Sequence, residues 1–303
     1  MEQNKFPPLY VIADLKSIKQ QQWHFRSLRV QLSFLFIASL TTVLGPYLSI
    51  SIEKSSIGYL FFIAISMAFM IYSALSKPEQ TWYESRALAE STNTLTWRFI
   101  MGAKPFSSHQ TKENVESNFI NELKELWKLN KMNDKKIDKT LREGSQITEW
   151  MQNIRRSDFE IKKDHYLQLR IEDQLNWYEK KKEFNKKRAR SFSIGSFVAY
   201  VVAIVIAYSQ ITGTVLPPWS SEPILMLAAG LVGWTQAKKY SELASSYALT
   251  SREISGIKDD IKKITKEQFS DFVNSSERAF SREHTQWTAR RLDYSSGEES
   301  DTP

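Results

Sequence analysis

The sequence predicts an all-α membrane protein with two transmembrane hairpins, four spans in all, and long cytosolic helical extensions. Three observations support this prediction. The stretches Val30–Ile52 and Ser55–Ser76 contain no charged residue. Each is long enough, at about 1.5 Å per residue, to cross the roughly 30 Å hydrocarbon core of a bilayer. A second pair of apolar stretches follows at 191–212 and 216–237.

The first hairpin is predicted to have a very short outer turn, because only Glu53 and Lys54 separate its two spans. Gly45 and Pro46 fall within the first span, and since proline removes a backbone donor, we expect that helix to bend or end there. The polar residues 1–22 lack the apolar core of a signal peptide. We therefore expect the first hairpin to be a permanent membrane anchor.

The second hairpin is reached through one long predicted helix, which begins near Asp158 and continues through a basic run at 180–190 into the third span. The fourth span is the weaker one. Its apolar part, Pro223–Ala237, has only 15 residues, which is short for a full crossing.

The net charge of +7 follows the positive-inside rule. The first outer turn holds one lysine and the second outer loop holds none, so the remaining 40 of 41 basic residues lie on one side with both termini. This pattern predicts that both termini and the middle section are cytoplasmic, with no DNA or RNA partner; a nucleotide site is the alternative. Basic residues at the inner ends of the spans are expected to anchor at lipid headgroups: Arg26, Arg29, Lys186, Lys187, Arg188, Arg190, Lys238 and Lys239.

The chain divides into a first module at 1–106, a polar helical connector at 107–157, a second module at 158–291 and a disordered tail at 292–303. Within the connector, helices are expected near 111–129 and 146–156, with a mobile stretch at 130–144 between them. The same plan of cytosolic helix, span, outer turn, span and cytosolic helix occurs twice, which predicts two hairpins side by side.

The sequence offers no catalytic or metal-binding constellation, so neither an enzyme nor a cofactor is predicted. It has no cysteine, which excludes a disulfide framework, a thiol nucleophile and a zinc–thiolate site. No two of the four histidines lie three or four residues apart, and no phosphate-binding glycine loop or hydrolase motif is present.

Small and mildly polar residues follow one side of the last two spans: Ser193, Ser196 and Tyr200 in the third, and Ala229 and Gly233 in the fourth. Such residues favour close helix packing in membranes. The alternative is the lining of a pore that opens when subunits assemble. No charged residue lies within the first three spans or within Pro223–Ala237 of the fourth, which argues against a proton or ion transporter.

The amphipathic stretch Trp82–Phe99 follows the first hairpin directly. We expect it to pack against helices near 158–178 and 240–257, and so to pass a cytosolic signal to the spans. The residues predicted for this role are Trp82, Arg86, Glu90, Trp97 and Trp177.

Several of these segments resemble the SLATT superfamily, the bacterial SMODS- and SLOG-associating two-transmembrane effector domains. The resemblance to a first module lies in Trp82–Ser91, Thr96–Phe99 and Pro105-Phe106. The resemblance to the second module of tandem SLATT proteins lies in Ile171–Tyr178, Trp234–Gln236 and Ser281–Trp287. Together these motifs cover about residues 8–291.

This resemblance implies an oligomeric inner-membrane effector of a nucleotide-signalled, anti-phage defence system. A cytosolic partner would make or sense a nucleotide, and the effector would then form a pore or disrupt the membrane. The resemblance implies no catalytic residue and no cofactor. Two alternatives stay open: a constitutive membrane scaffold, and a nucleotide-responsive ion channel, either of which would dock a cytosolic partner through its helices.

Overall fold

A computed structural model describes residues 5–107, 111–130, 134–143, 145–213 and 218–296, and for 282–296 the backbone alone. Within these ranges the chain is helical and contains no strand, which confirms the all-α prediction. The helices in chain order are α1 Pro8–Tyr47, α2 Ile52–Ser76, α3 Pro78–Met101, α4 Lys112–Leu129, α5 Lys135–Glu143, α6 Glu149–Arg156, α7 Phe159–Tyr166, α8 Asp173–Ile211, α9 Glu222–Lys238, α10 Tyr240–Asp260 and α11 Lys266–Ser296.

The helices form two compact units. The helical unit contains Met1–Gln20, Glu79–Lys180 and Ser246–Pro303, and the membrane unit contains Gln21–Pro78 and Lys181–Ser245. All of the predicted spans fall in the membrane unit. Helices α1, α8 and α10 each begin in one unit and end in the other without a break.

The helical unit has a conventional apolar core. Helix α4 buries Val115, Phe119 and Leu123, which recur every four residues and so lie along one face. The Phe99 ring of α3 lies 4.4 Å from the Phe119 ring, measured between centroids. Trp97 is fully buried in the same core. Burial of these aromatic side chains supplies the main driving force for this unit.

Residues 107–157, predicted as a connector, belong to this core. Phe119, Ile137 and Met151 are all fully buried in it. Helix α5 forms within the stretch predicted to be mobile, because Ile137 and Leu141, four residues apart, both pack against the core. Residues 108–110, 131–133 and 144 of this region lie outside the described part of the chain.

Three helical runs are long and apolar enough to cross a membrane: Pro8–Tyr47, Ile52–Met101 and Phe159–Ile211. The second run joins α2 and α3 across Lys77, which has a left-handed backbone with φ 43°. Pro78 then opens α3, a position where its missing N–H costs nothing.

The turn between α1 and α2 lies at 48–51 and not at Glu53–Lys54, so the predicted bounds of both spans were wrong by several residues. Helix α1 ends at Tyr47, directly after Pro46, and the Ile50 N–H donates to the Gly45 carbonyl at 2.9 Å. Ser51 caps α2, and Glu53 lies in its first turn, where the helix dipole favours a negative charge.

The second hairpin also differs from its predicted bounds. Helix α8 ends at Ile211, and α9 begins at Glu222, six residues after the predicted start at 216. Residues 216 and 217 of that predicted span lie outside the described residues. With 17 residues, α9 is about 25 Å long, which is shorter than a typical crossing.

The predicted long helix is continuous from Phe159 to Ile211, and a π-helical turn at Leu167–Glu172 lies within it. Helix α11 runs to Ser296, so residues 292–296 are helical and not part of a disordered tail. No glycine or proline stops the helix before Gly297. Residues 297–303 of the predicted tail lie outside the described part.

Candidate functional site

The first hairpin is held together by small and hydroxyl-bearing residues between α1 and α2. Ser66 donates a hydrogen bond to the Gln31 carbonyl at 3.2 Å, and Ser27 donates to the Phe69 carbonyl at 3.4 Å. Such bonds satisfy hydroxyl groups that have no water available inside a bilayer. The two predicted spans of this hairpin therefore pack as a direct pair.

The three residues predicted to form one surface of α8 differ in burial. Ser196 is buried, and its hydroxyl donates to the Phe192 carbonyl of its own helix at 2.9 Å. Ser193 and Tyr200 are exposed. The residues that α8 buries at this level are Ser196, Ala199 and Ala203, which share one helical face.

Helix α9 shows the same division. Ala228 is buried, whereas Ala229 and Gly233 are exposed. A Cβ atom added at Gly233 would have no neighbour within 4 Å, so this glycine does not serve a close approach within the chain. The exposed small residues of α8 and α9 form what we call the open face: Ser193, Tyr200, Ala229 and Gly233.

Large apolar side chains are also exposed in the membrane unit. Phe197 is 68% and Ile204 67% exposed on α8, and Leu60 is 64% exposed on α2. This exposure would be costly in water and is expected of side chains that face lipid. Phe197 lies four residues after Ser193 and Ile204 four residues after Tyr200, so on α8 the open face has large apolar residues beside its hydroxyl-bearing ones.

The predicted headgroup residues lie on three helices of the membrane unit. Lys186, Lys187, Arg188 and Arg190 are exposed on α8, and Arg188 lies over the Phe184 ring at 5.3 Å. Arg26 lies over the Trp23 ring of α1 at 5.9 Å. Arg29 and Lys238 come together at Trp234, at 5.9 Å and 5.3 Å from its ring centroid.

Lys239 has a different environment from its neighbour Lys238. It is exposed, has a left-handed backbone with φ 51° and lies 3.8 Å from the Glu242 carboxylate. It occupies the junction between α9 and α10, as Lys77 does between α2 and α3. Each hairpin is therefore followed by a left-handed lysine and a new helix.

Two of the predicted signalling residues form one charge network. Arg86 forms ion pairs with Glu90 and with Asp14 of α1, the latter at 3.4 Å. Burial alone would lower the pKa of Arg86, but the charges of Glu90 and Asp14 raise it above its usual value. Burial, together with Asp14 and Glu90, raises the pKa of the adjacent Tyr10 hydroxyl to about 12. This network links α1 to α3 in the helical unit.

The three predicted signalling tryptophans have different ring contacts. Trp82 stacks on its neighbour Tyr83 with ring centroids 4.5 Å apart. Trp97 is fully buried, 5.8 Å from the Tyr166 ring, and so has a packing role. Trp177 is at the surface of α8 and contacts Tyr247 of α10 at 5.5 Å.

A buried ion pair in the helical unit was not predicted from the sequence. The Arg170 Nη2 atom lies 2.7 Å from Glu277 Oε2, and Tyr166 donates a hydrogen bond to the same carboxylate at 3.0 Å. Burial alone would lower the pKa of Arg170, but Glu277 raises it, and burial raises that of Tyr166. The only sequence signal is that Arg170 lies between the apolar residues Leu169 and Ile171, whereas Glu277 lies between Ser276 and Arg278 and gives none.

Arg170 lies in the π-helical turn that interrupts the long helix between α7 and α8. Its guanidinium also lies over the Phe280 ring at 4.9 Å. The pair therefore fixes this turn to α11. Short π-helical turns often mark functional positions in long helices.

Among the described residues, no group of three or more histidine or acidic side chains is placed to hold a metal ion. Both units consist of packed helices with ion pairs between side chains, and the membrane unit also exposes large apolar side chains.

Two family models match the chain. SMODS and SLOG-associating 2TM effector domain 3 matches residues 7–163, and SMODS and SLOG-associating 2TM effector domain 1 matches residues 166–287. The first match covers more than half of the chain. The chain belongs to the SLATT family. No curated protein and no solved structure gave a significant match.

The two matches give a tandem SLATT architecture, as the sequence motifs suggested. The first SLATT match includes α4–α6, consistent with the packing of these helices into the helical unit. The border between the two matches, at residues 164–165, falls in α7, close before the π-helical turn. The second SLATT module therefore begins within a continuous helix.

Proposed function

We propose that the protein is an oligomeric effector of a bacterial, nucleotide-signalled anti-phage defence system, which opens a pore in the inner membrane, or disrupts it, when triggered from the cytosol. The observation that carries this proposal is the pair of two-transmembrane effector modules matched in tandem. An all-helical chain with exposed apolar spans has the form expected of a protein that acts on the bilayer itself.

In the proposed layout, α9 is the fourth span and both termini are cytoplasmic. The charge distribution supports this, because the turn at 48–51 is uncharged and the basic residues follow the inner ends of the spans. The short length of α9 is compatible with a crossing if the bilayer thins locally or neighbouring helices shield its ends.

The proposed surface for subunit assembly is the open face, with Ser193 and Tyr200 on α8 and Ala229 and Gly233 on α9. Small residues allow helices of neighbouring subunits to approach closely. Hydroxyl groups on such a face would line a weakly selective water path once several copies assemble. Ser196 would support this face from inside, because it is buried within the chain.

The proposed signal path uses helices that enter the membrane unit without interruption. A cytosolic partner that makes or senses a nucleotide would bind the helical unit and shift α1 or α8. The ion pairs of Arg86 with Asp14 and Glu90 and the contact of Trp177 with Tyr247 tie these helices to α3 and α10. A change in either contact would move helix ends that continue into the spans.

The proposal is tested by inducing the protein in bacteria while following dye entry and membrane potential. We expect loss of potential and dye entry with the natural chain. Ser193→Trp, which fills the open face, should reduce dye entry to the uninduced level because subunits can no longer approach. Val198→Trp on the same helix is the matched control, because Val198 is 52% exposed and lies about 140° around the helix axis from Ser193, and it should leave dye entry unchanged.

Growth arrest with an intact membrane potential would overturn the proposal, as would full dye entry in Ser193→Trp at equal membrane content.

The size of the helical unit, which has its own core, favours a constitutive membrane scaffold as the second candidate function. A constitutive scaffold, and equally a channel opened by a nucleotide, would be harmless when produced without its partner or ligand.

A further inference from the structure

Two cations from different helices share one aromatic pair in the membrane unit. The Lys238 Nζ atom at the end of α9 lies 3.1 Å from the Phe25 ring centroid and 5.3 Å from that of Trp234. The Arg29 guanidinium of α1 lies 5.9 Å from the Trp234 centroid. The two rings themselves pack edge to face at 6.0 Å. Both positive charges are therefore held over the same rings.

This concentration of positive charge is not balanced within the chain. In the part of the chain that the structure describes, neither Arg29 nor Lys238 has a carboxylate within ion-pair distance. Holding like charges together costs free energy, and an anion bound between them would remove that cost.

The cluster lies where the spans meet the inner surface. Arg29 directly precedes the first apolar stretch, and Lys238 is the last residue of α9. Tryptophan prefers the membrane interface, at the depth of the headgroups. Lys238 is partly buried and Arg29 is exposed, so a ligand can reach the guanidinium and still contact the ammonium group.

We propose that Arg29 and Lys238 form a binding site for a single phosphate group. An anionic phospholipid headgroup or a free phosphate would supply the same chemistry, with the guanidinium able to donate two parallel hydrogen bonds to it. This inference deepens the proposed headgroup anchoring and rests on it only for the position of these helix ends. It replaces a general attraction of basic residues to the leaflet with one defined site on α1 and α9.

The test is native mass spectrometry of the full-length, detergent-solubilised protein titrated separately with phosphatidylglycerol, phosphatidylcholine and inorganic phosphate. Lys238→Gln is compared with Lys54→Gln, which removes the same charge from an exposed lysine at the other end of a span. Arg29→Gln is compared with Lys19→Gln, which removes an exposed charge ten residues earlier on α1. Lys238→Arg keeps the charge and shows whether the position tolerates substitution.

We expect one tightly bound phosphatidylglycerol, with affinity about fivefold lower in Lys238→Gln and in Arg29→Gln, the effect of losing one basic residue at an anionic surface. Both control variants and Lys238→Arg should bind like the natural chain. Selective binding of inorganic phosphate with the same dependence on Lys238 would support the site with a free ligand as its source.

Equal loss in Lys238→Gln and Lys54→Gln, or no loss in either, would overturn the proposal, because the charge would then act without a defined site. The measurement contains no permeability step. A failure of pore formation therefore leaves this result unaffected, and the two proposals are tested separately.

Discussion

At the scale of single residues, the strongest constraint in the helical unit is the buried pair of Arg170 and Glu277. The two side chains are 1% and 0% exposed. Burial of two charges costs several kcal/mol per ion in general, and only close pairing with further hydrogen bonds offsets it. Tyr166 supplies one such bond to Glu277. Removing one partner would leave the other charge buried and uncompensated.

We predict that Glu277→Gln lowers the free energy of unfolding of the full chain by about 3–5 kcal/mol, measured by denaturant titration in detergent. Asp271→Asn is the matched control on the same helix, because Asp271 pairs with Lys104 at 3.0 Å on the surface. That exposed pair should contribute less than about 1 kcal/mol.

The double replacement Arg170→Met with Glu277→Leu separates charge from packing. Since apolar side chains of similar size can replace a buried pair with little loss, we expect the double variant to be more stable than Glu277→Gln. If Glu277→Gln and Asp271→Asn unfold at the same denaturant concentration, the buried pair of Arg170 and Glu277 contributes no more to stability than the exposed pair of Lys104 and Asp271.

At the scale of elements, the sequence predicted the helices well where a single signal dominated. Uncharged apolar stretches identified α1, α2 and the membrane part of α8, and the amphipathic spacing of Val115, Phe119 and Leu123 identified α4. The sequence did not predict where the helices of the two hairpins begin and end. The turn at 48–51 is set by Pro46 and by the cap of Ser51, and these local effects are weaker signals than the charges of Glu53 and Lys54.

Contacts between distant elements could not be predicted at all. Nothing in the spacing of Arg170 and Glu277 indicates that they meet, because they are 107 residues apart. The division of the candidate surface of α8 into buried Ser196 and exposed Ser193 depends on which neighbours cover the helix. Periodicity places both residues near one another but does not choose between them.

Gly45 is an element-scale constraint on the first hairpin. A Cβ atom at this position would lie 2.0 Å from the Ser55 hydroxyl oxygen and 3.0 Å from the Ser55 Cβ. The hydroxyl can rotate away, but the second contact requires the ends of α1 and α2 to separate slightly. Glycine is therefore needed here for close approach of the two helices.

We predict that Gly45→Ala destabilises the protein by about 1–3 kcal/mol, the usual range for an overpacked contact. Gly58→Ala in the same hairpin is the control, because its Cβ would lie at an ordinary 3.8 Å from Thr41. Thermal unfolding in detergent measures both. Adding Ser55→Ala should restore part of the loss; equal melting temperatures for Gly45→Ala and Gly58→Ala would contradict the close approach.

At the scale of the whole molecule, the chain combines two SLATT modules whose spans fall in one unit and whose other helices fall in another. The second module begins within a continuous helix that ends at the outer end of the third span. The proposed effector function requires this arrangement to place every long polar segment in the cytoplasm, where a partner can reach it. The orientation of both hairpins is therefore the central claim.

Labelling of single engineered cysteines in intact cells with a membrane-impermeant maleimide tests that claim most directly, since the natural chain has no cysteine and gives no background. We predict that Ser49→Cys and Thr212→Cys, at the two outer turns, are labelled from outside. Ser145→Cys and Ser255→Cys, both exposed in the helical unit, should react only after the cells are broken. Labelling of Ser145→Cys or Ser255→Cys in unbroken cells would contradict the four-span layout and the mechanism built on it.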